Sequence, residues 1–102
     1  MTVADLPEDA TLLDVREDDE WAAGHAPKAA HIPMGELAGR LDELSSDGSV
    51  YVVCRSGGRS ARVTAYLNTN GWDAINVDGG MRSWHAAGRS MVCDHPGEPE
   101  VI

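Results

Sequence analysis

Cationic side chains are scarce in this sequence: 8 of its 102 residues are Lys or Arg against 17 Asp or Glu, a formal net charge of -9. That balance leaves no surplus of positive charge to displace counterions from a phosphate backbone, so nucleic acid is not expected as a partner. Anionic membrane surfaces are disfavoured for the same reason. Long apolar runs are also missing. None approaches the roughly 20 residues a membrane span needs, and the opening MTVADLPEDA has neither the basic start nor the apolar stretch of a leader. The expected setting is the cytoplasm, with no membrane contact. Cysteine is confined to Cys54 and Cys93, which form no C-x-x-C pair and are too few to frame a small secreted domain. Each is therefore read as a thiol.

What is present suffices for one core. Hydrophobic residues make up 42% of the chain, and a chain of this length buries somewhat over roughly 60% of its unfolded surface without staples. The domain is expected over residues 1–93. An acidic tail, 94–102, carries Pro96, Gly97 and Pro99 and is expected to be mobile or loosely draped. Before it, short apolar runs alternate with helix-period segments, the pattern of a central, mainly parallel sheet with helices on both faces.

Strands are expected at Thr11 to Val15, Ala30 to Ile32, Val50 to Val53 and Ala74 to Val77. The run VYVV lacks polar alternation, which predicts a central strand buried on both faces. Leu37, Leu41 and Leu44 have helical spacing and are read as core. Further helices are predicted from Asp18 to Ala23, from Arg59 to Asn68 before Asn70-Gly71, and from Gly80 to Ala87 before Gly88.

Chemistry concentrates in VYVVCRSGGRSARVTAYL, which reads as strand, glycine-bearing loop and helix with Cys54 at the strand's carboxyl end. Open α/β sheets place ligand sites there. Gly57 and Gly58 tolerate positive φ, so the loop Cys54, Arg55, Ser56, Gly57, Gly58, Arg59 and Ser60 can turn successive N–H groups inward as an anion cradle. Inward amides, the following helix's N-terminus and the guanidiniums of Arg55 and Arg59 all favour thiolate at Cys54. Such settings lower a cysteine pKa from about 8.5 to about 3.5–7.5. The competing reading, an inert cysteine ending a buried strand, does not explain two glycines flanked by arginines.

These residues resemble the rhodanese-like sulfurtransferase family from about Leu12 to Gly88. The stretch LLDVREDDEWAAGHAPKAAHIP is similar to the family's entry signature at Asp14, Arg16, Glu20, Trp21, Gly24, His25, Ile32 and Pro33. CRSGGRS resembles the active-site loop of single-domain members, and DGGMRSWHAAG the closing element. The resemblance implies a rhodanese-like domain in which Cys54 takes sulfane sulfur from a small anionic donor such as thiosulfate. Cys54 would then pass it, as a persulfide, to cyanide, a thiol or a protein acceptor. The loop amides, Arg55, Ser56, Gly57, Gly58, Arg59 and Ser60 would hold the donor, with Arg59 facing its oxygens. No metal or organic cofactor is implied. Arg55 directly after the cysteine looks more like thiosulfate-type members than mercaptopyruvate-type ones.

Asp14 and Arg16 are read as supporting residues, Arg16 and Glu20 having the spacing of a local ion pair and Asp14 being able to bond loop amides. His25 and His31 lack zinc-ligand spacing and are read as loop-fixing hydrogen bonders. Trp84 with Met81 is expected to anchor the core beneath the final turn. Cys93 lies beyond the resemblance; a resolving thiol and an inert tail cysteine are both open. Two other functions remain. A cysteine phosphatase or arsenate reductase needs Arg six positions after its cysteine, where this chain has Ser60, with Arg59 one short. A sulfur-carrier or redox-regulatory module without turnover would usually show a missing nucleophile or a disrupted loop; neither is seen here, though an intact loop does not identify the acceptor. The acidic surface could recruit a basic partner.

Overall fold

A computed structural model describing residues 1–102 has the expected α/β alternation. Four strands, β1 (Thr11–Asp14), β2 (Ala30–His31), β3 (Ser49–Val53) and β4 (Asp73–Asn76), form one sheet in the order β2-β1-β3-β4, every pair parallel. Three α-helices, α1 (Asp18–Ala23), α2 (Gly58–Thr69) and α3 (Gly80–Ala86), connect or follow them. The predicted boundaries hold to within one or two residues.

The VYVV run is central because every residue in it has something apolar to meet. Side chains alternate across a strand, so Val50, Val52 and Cys54 join Leu13, Val15, Ile32, Leu37, Val63, Leu67 and Ala74 in one core layer. Val53 turns to the other face with Leu12, Val77, Met81 and Trp84. Helix α2 closes the first layer and α3 the second, and the sheet is covered on both sides. Beneath the final turn Trp84 donates its indole N–H to Ser90 O at 3.0 Å, and the Arg89 guanidinium lies 4.4 Å above its ring.

Two expectations are corrected. The leucine-spaced segment is not an α-helix but two 3-10 turns, Met34–Gly39 and Leu41–Glu43, broken at Arg40 with φ -128°. Gly35 and Gly39 sit within so few residues that each raises the cost of a helix by about 1 kcal/mol relative to Ala. Leu37 is nevertheless buried, with Leu41 and Leu44 packed partly against the same core. The tail is not free either. Val92 bridges His25 in antiparallel fashion, and the amides of Asp94 and Glu100 donate to Ala22 O and Ala23 O, each at 2.9 Å. Gly24 makes room for this, since a Cβ there would stand 2.5 Å from Glu100 O.

Candidate active site

Cys54 follows the last residue of β3 and is 1% exposed. Two features turn the next residues around its sulfur. Gly57 takes a left-handed conformation, φ 116°, and caps α2, so the chain reverses sharply enough for its N–H to donate to Cys54 Sγ at 3.1 Å. The carbonyls are drawn the other way: Met81 N–H donates to Cys54 O at 2.8 Å and Arg82 N–H to Arg55 O at 3.0 Å. With those carbonyls occupied by the start of α3, the N–H groups of the loop are left to line the sulfur side. The approach is possible only because residue 80 is glycine at φ +54°; a Cβ there would overlap Cys54 O and come within 2.9 Å of Arg55 O. Sequence reasoning read DGGMRSW as a closing element and missed this part in building the loop. The paired glycines one strand later were the available signal.

Ser60, fully buried on α2, points its hydroxyl at Cys54 Sγ, 3.3 Å away, with Gly57 O at 3.2 Å as a competing acceptor. One hydroxyl proton serves one acceptor at a time, and an ionised sulfur is the stronger claimant. Burial alone would push the Cys54 thiol up. The Ser60 hydroxyl and the amides of Ser60, Gly57 and Ser56 outweigh it and hold the thiol below its ordinary value. These hydrogen bonds are the largest influences that favour the thiolate, and the Arg59 guanidinium also acts on the sulfur through its charge.

Arg59 reaches across to α1. Its guanidinium holds Glu20 in a two-point pair, Nη1 to Oε1 at 2.6 Å and Nη2 to Oε2 at 2.8 Å. Hydrogen bonding to Arg59 keeps the Glu20 carboxyl below the usual range. Glu20 also accepts from Glu17 N–H at 3.1 Å and so completes a capping box on α1. The predicted Arg16–Glu20 ion pair is thereby corrected. Arg16 pairs with Asp14 instead, Nη2 to Oδ2 at 2.7 Å and Nε to Oδ1 at 2.9 Å, both side chains fully buried. Arg16 reaches only the backbone of Glu20, at 3.3 Å, and of Gly24, at 2.8 Å. Asp14 accepts from Arg16 N–H, not from the Cys54 loop.

Arg55 and Ser56 are exposed, Gly57 half-buried and Gly58 exposed at the start of α2. Arg55 takes part in no ion pair. His25 and His31 fix backbone, their rings bonding Trp21 O at 2.7 Å and Arg16 O at 2.8 Å while each stacks parallel to Trp21. No group of three His, Cys, Asp or Glu side chains is placed to hold a metal ion. Cys93 bonds His95 O and Gly97 O within its own tail, at 3.3 and 3.5 Å. The cradle holds a sulfur atom amid donors with no carboxylate bonded to it, an arrangement suited to a thiolate and to whatever anion meets it.

Residues 2–87 match the rhodanese-like domain family, and the chain belongs to it. Over 77 residues it is 44% identical to the Bacillus subtilis (strain 168) protein named "Putative sulfurtransferase YtwF", covering 76% of this chain and 75% of that one. A second relative from the same organism, "Putative sulfur carrier protein YrkF", is 40% identical over 81 residues, which span 78% of this chain but only 44% of YrkF. The crystal structure of a rhodanese-related protein from Thermoplasma volcanium superposes with a TM-score of 0.85 at 35% identity, covering 90% of this chain and 95% of that chain. A rhodanese-type sulfurtransferase is the class these likenesses support. No helix of the chain is long and apolar enough to cross a membrane.

Proposed function

We propose that the protein is a sulfurtransferase that moves sulfane sulfur from thiosulfate or a related anionic donor to a thiophilic acceptor through a persulfide on Cys54. The observation that carries this reading is the sulfur itself, buried at the end of β3 with Gly57 N–H and Ser60 Oγ within 3.3 Å. The Cys54 thiolate attacks the outer sulfur of thiosulfate and a new S–S bond forms. The old S–S bond breaks, and its electron pair leaves on sulfite. An acceptor thiolate or cyanide then attacks the terminal sulfur and returns Cys54 to thiolate. No external oxidant or reductant is needed. The loop amides meet the negative charge at each stage, and Arg55, exposed and in no ion pair one residue after the cysteine, attracts the dianion. Arg59 holds the loop to α1 through Glu20. Asp14 and Arg16 support the adjoining strand end.

Such a cycle needs its cysteine reduced, which suits the cytoplasm, and we place the reaction there. The catalytic unit is taken as residues 1–93, with 94–102 as an appended strap. The likeness to YrkF favours one second reading, a carrier that takes sulfur without rapid turnover. A phosphatase reading is disfavoured because Arg59 is held by Glu20 and Ser60 stands where the phosphate-binding arginine belongs. Intact-mass measurement after incubation with thiosulfate tests the proposal. A gain of one sulfur atom on the wild type, none on Cys54→Ser, and loss of that sulfur on adding cyanide or a thiol is the expected result. A sulfur that stays on identifies a carrier, and no gain with any anionic donor overturns the reading.

A further inference from the structure

Positive charge, scarce in the whole chain, is gathered at one place. No Asp or Glu occurs between Asp47 and Asp73, yet that stretch holds Arg55, Arg59 and Arg62. Arg82 joins them from α3, its backbone N–H bonded to Arg55 O at 3.0 Å. Arg59 is paired with Glu20, but Arg55, Arg62 and Arg82 are exposed and form no ion pair. Arg62 also lines the edge of an apolar groove of about 240 Å³, walled by Met34, Leu37, Val63 and Tyr66. Tyr66 is 40% exposed.

The extent of this surface excludes a small donor as its only occupant. At about 1.5 Å of rise per residue, Tyr66 lies about 12 Å along α2 from Gly58 at the mouth of the cradle. A donor of a few atoms that reaches Cys54 cannot also fill the groove at Tyr66. A protein can. The chain's own negative charge does not forbid an acidic one, because charges beyond about 8 Å are largely screened at physiological salt and those in contact decide.

We propose that Arg55, Arg62 and Arg82, with the groove between the first 3-10 turn and α2, form the docking surface for an acidic protein that exchanges sulfur with Cys54. The partner presents its reactive sulfur beside carboxylates and one apolar side chain that enters the groove. This purpose rests on the sulfurtransferase reading; the binding itself does not.

The test uses a short peptide in which Asp and Glu flank one Leu before a C-terminal Cys, and a control with Lys at the acidic positions. Persulfidated wild-type protein should pass sulfur to the acidic peptide about tenfold faster than to the basic one. Arg62→Glu with Arg82→Glu should erase that preference while leaving transfer to uncharged dithiothreitol unchanged. Fluorescence anisotropy with labelled peptides ending in Ser measures docking without sulfur chemistry. If Cys54 accepts no sulfur yet the acidic peptide still binds preferentially, the docking surface stands and the catalytic reading falls. Equal binding of both peptides, or tighter binding of a single-stranded oligonucleotide or phosphatidylserine vesicles, overturns the proposal.

Discussion

The carboxyl ends of β1 and β3 lie side by side, and each buries a reactive group in a different manner. At the end of β1, Asp14 and Arg16 pair with one another, and the guanidinium also donates to the carbonyls of Glu20 and Gly24. That cluster is spent on holding the chain. At the end of β3 the Cys54 sulfur takes its hydrogen bonds from the Gly57 N–H and the Ser60 hydroxyl, while the nearby Arg59 guanidinium, which acts on the sulfur through its charge, makes its hydrogen bonds with Glu20. Two neighbouring strand ends thus divide the work: one spends charge on holding the chain, the other keeps donors free for an incoming anion.

The sharpest way to break this comparison is at the sulfur. Cys54→Ser should abolish sulfur transfer in assays with thiosulfate and cyanide while thermal unfolding stays close to wild type, since the oxygen accepts the same amides. The mirror experiment is Arg16→Ala, which leaves Asp14 buried without a partner. Breaking a buried pair costs about 3–5 kcal/mol, so this variant should be strongly destabilised in urea unfolding, with its activity lost through unfolding.

Ser60→Ala sharpens the comparison by removing one donor and leaving the cysteine. A hydrogen bond to a charged group contributes about 1.5–3 kcal/mol, so transfer should slow roughly ten- to hundredfold. The midpoint of iodoacetamide alkylation against pH should rise, because burial then meets less opposition. An unchanged midpoint would mean that the amides alone hold the thiolate.

Glu20→Gln tests the clamp between the two regions. The loss should be near 1 kcal/mol at neutral pH, since both side chains retain some solvent. The folded Glu20 carboxyl lies below its unfolded value of about 4.3. Its contribution is therefore present above that pH and lost as pH falls through the folded value. Wild type should accordingly lose more stability than Glu20→Gln between about pH 5 and pH 2. If freeing Arg59 also raises kcat/KM for thiosulfate, Glu20 restrains the site as well as bracing it. Smallest of all, Cys93→Ser should leave persulfide formation unchanged, as its thiol bonds only its own tail.

Much of this architecture was legible in the sequence because it is local. Strand β3, the glycines after Cys54 and the helix that follows lie within one short stretch, where periodicity and turn chemistry speak directly. Two local readings were corrected: Leu37 to Leu44, where correct apolar spacing met glycines that favour tighter turns, and the Arg16–Glu20 pair, whose spacing was right but whose partners went elsewhere. Three other features could not be read from local spacing. Glu20 reaches Arg59 across 39 positions, Gly80 admits α3 to the carbonyls of Cys54 and Arg55, and Gly24 receives the tail. Each is a packing relation between distant segments, and spacing rules that link residues three or four apart cannot register it.

By itself the sequence determined the α/β alternation, the central place of β3 and the position of a cysteine at its carboxyl end, since hydrophobic period and glycine freedom are properties of neighbouring residues. Only the tertiary structure decided which donors that sulfur meets and which carboxylate the neighbouring guanidinium holds. A guanidinium on a long side chain goes to whichever carboxylate the fold brings within reach. Here Asp14 holds Arg16 two residues away and the fold brings Glu20 to Arg59, so the hydrogen bonds to Cys54 come from hydroxyl and amide.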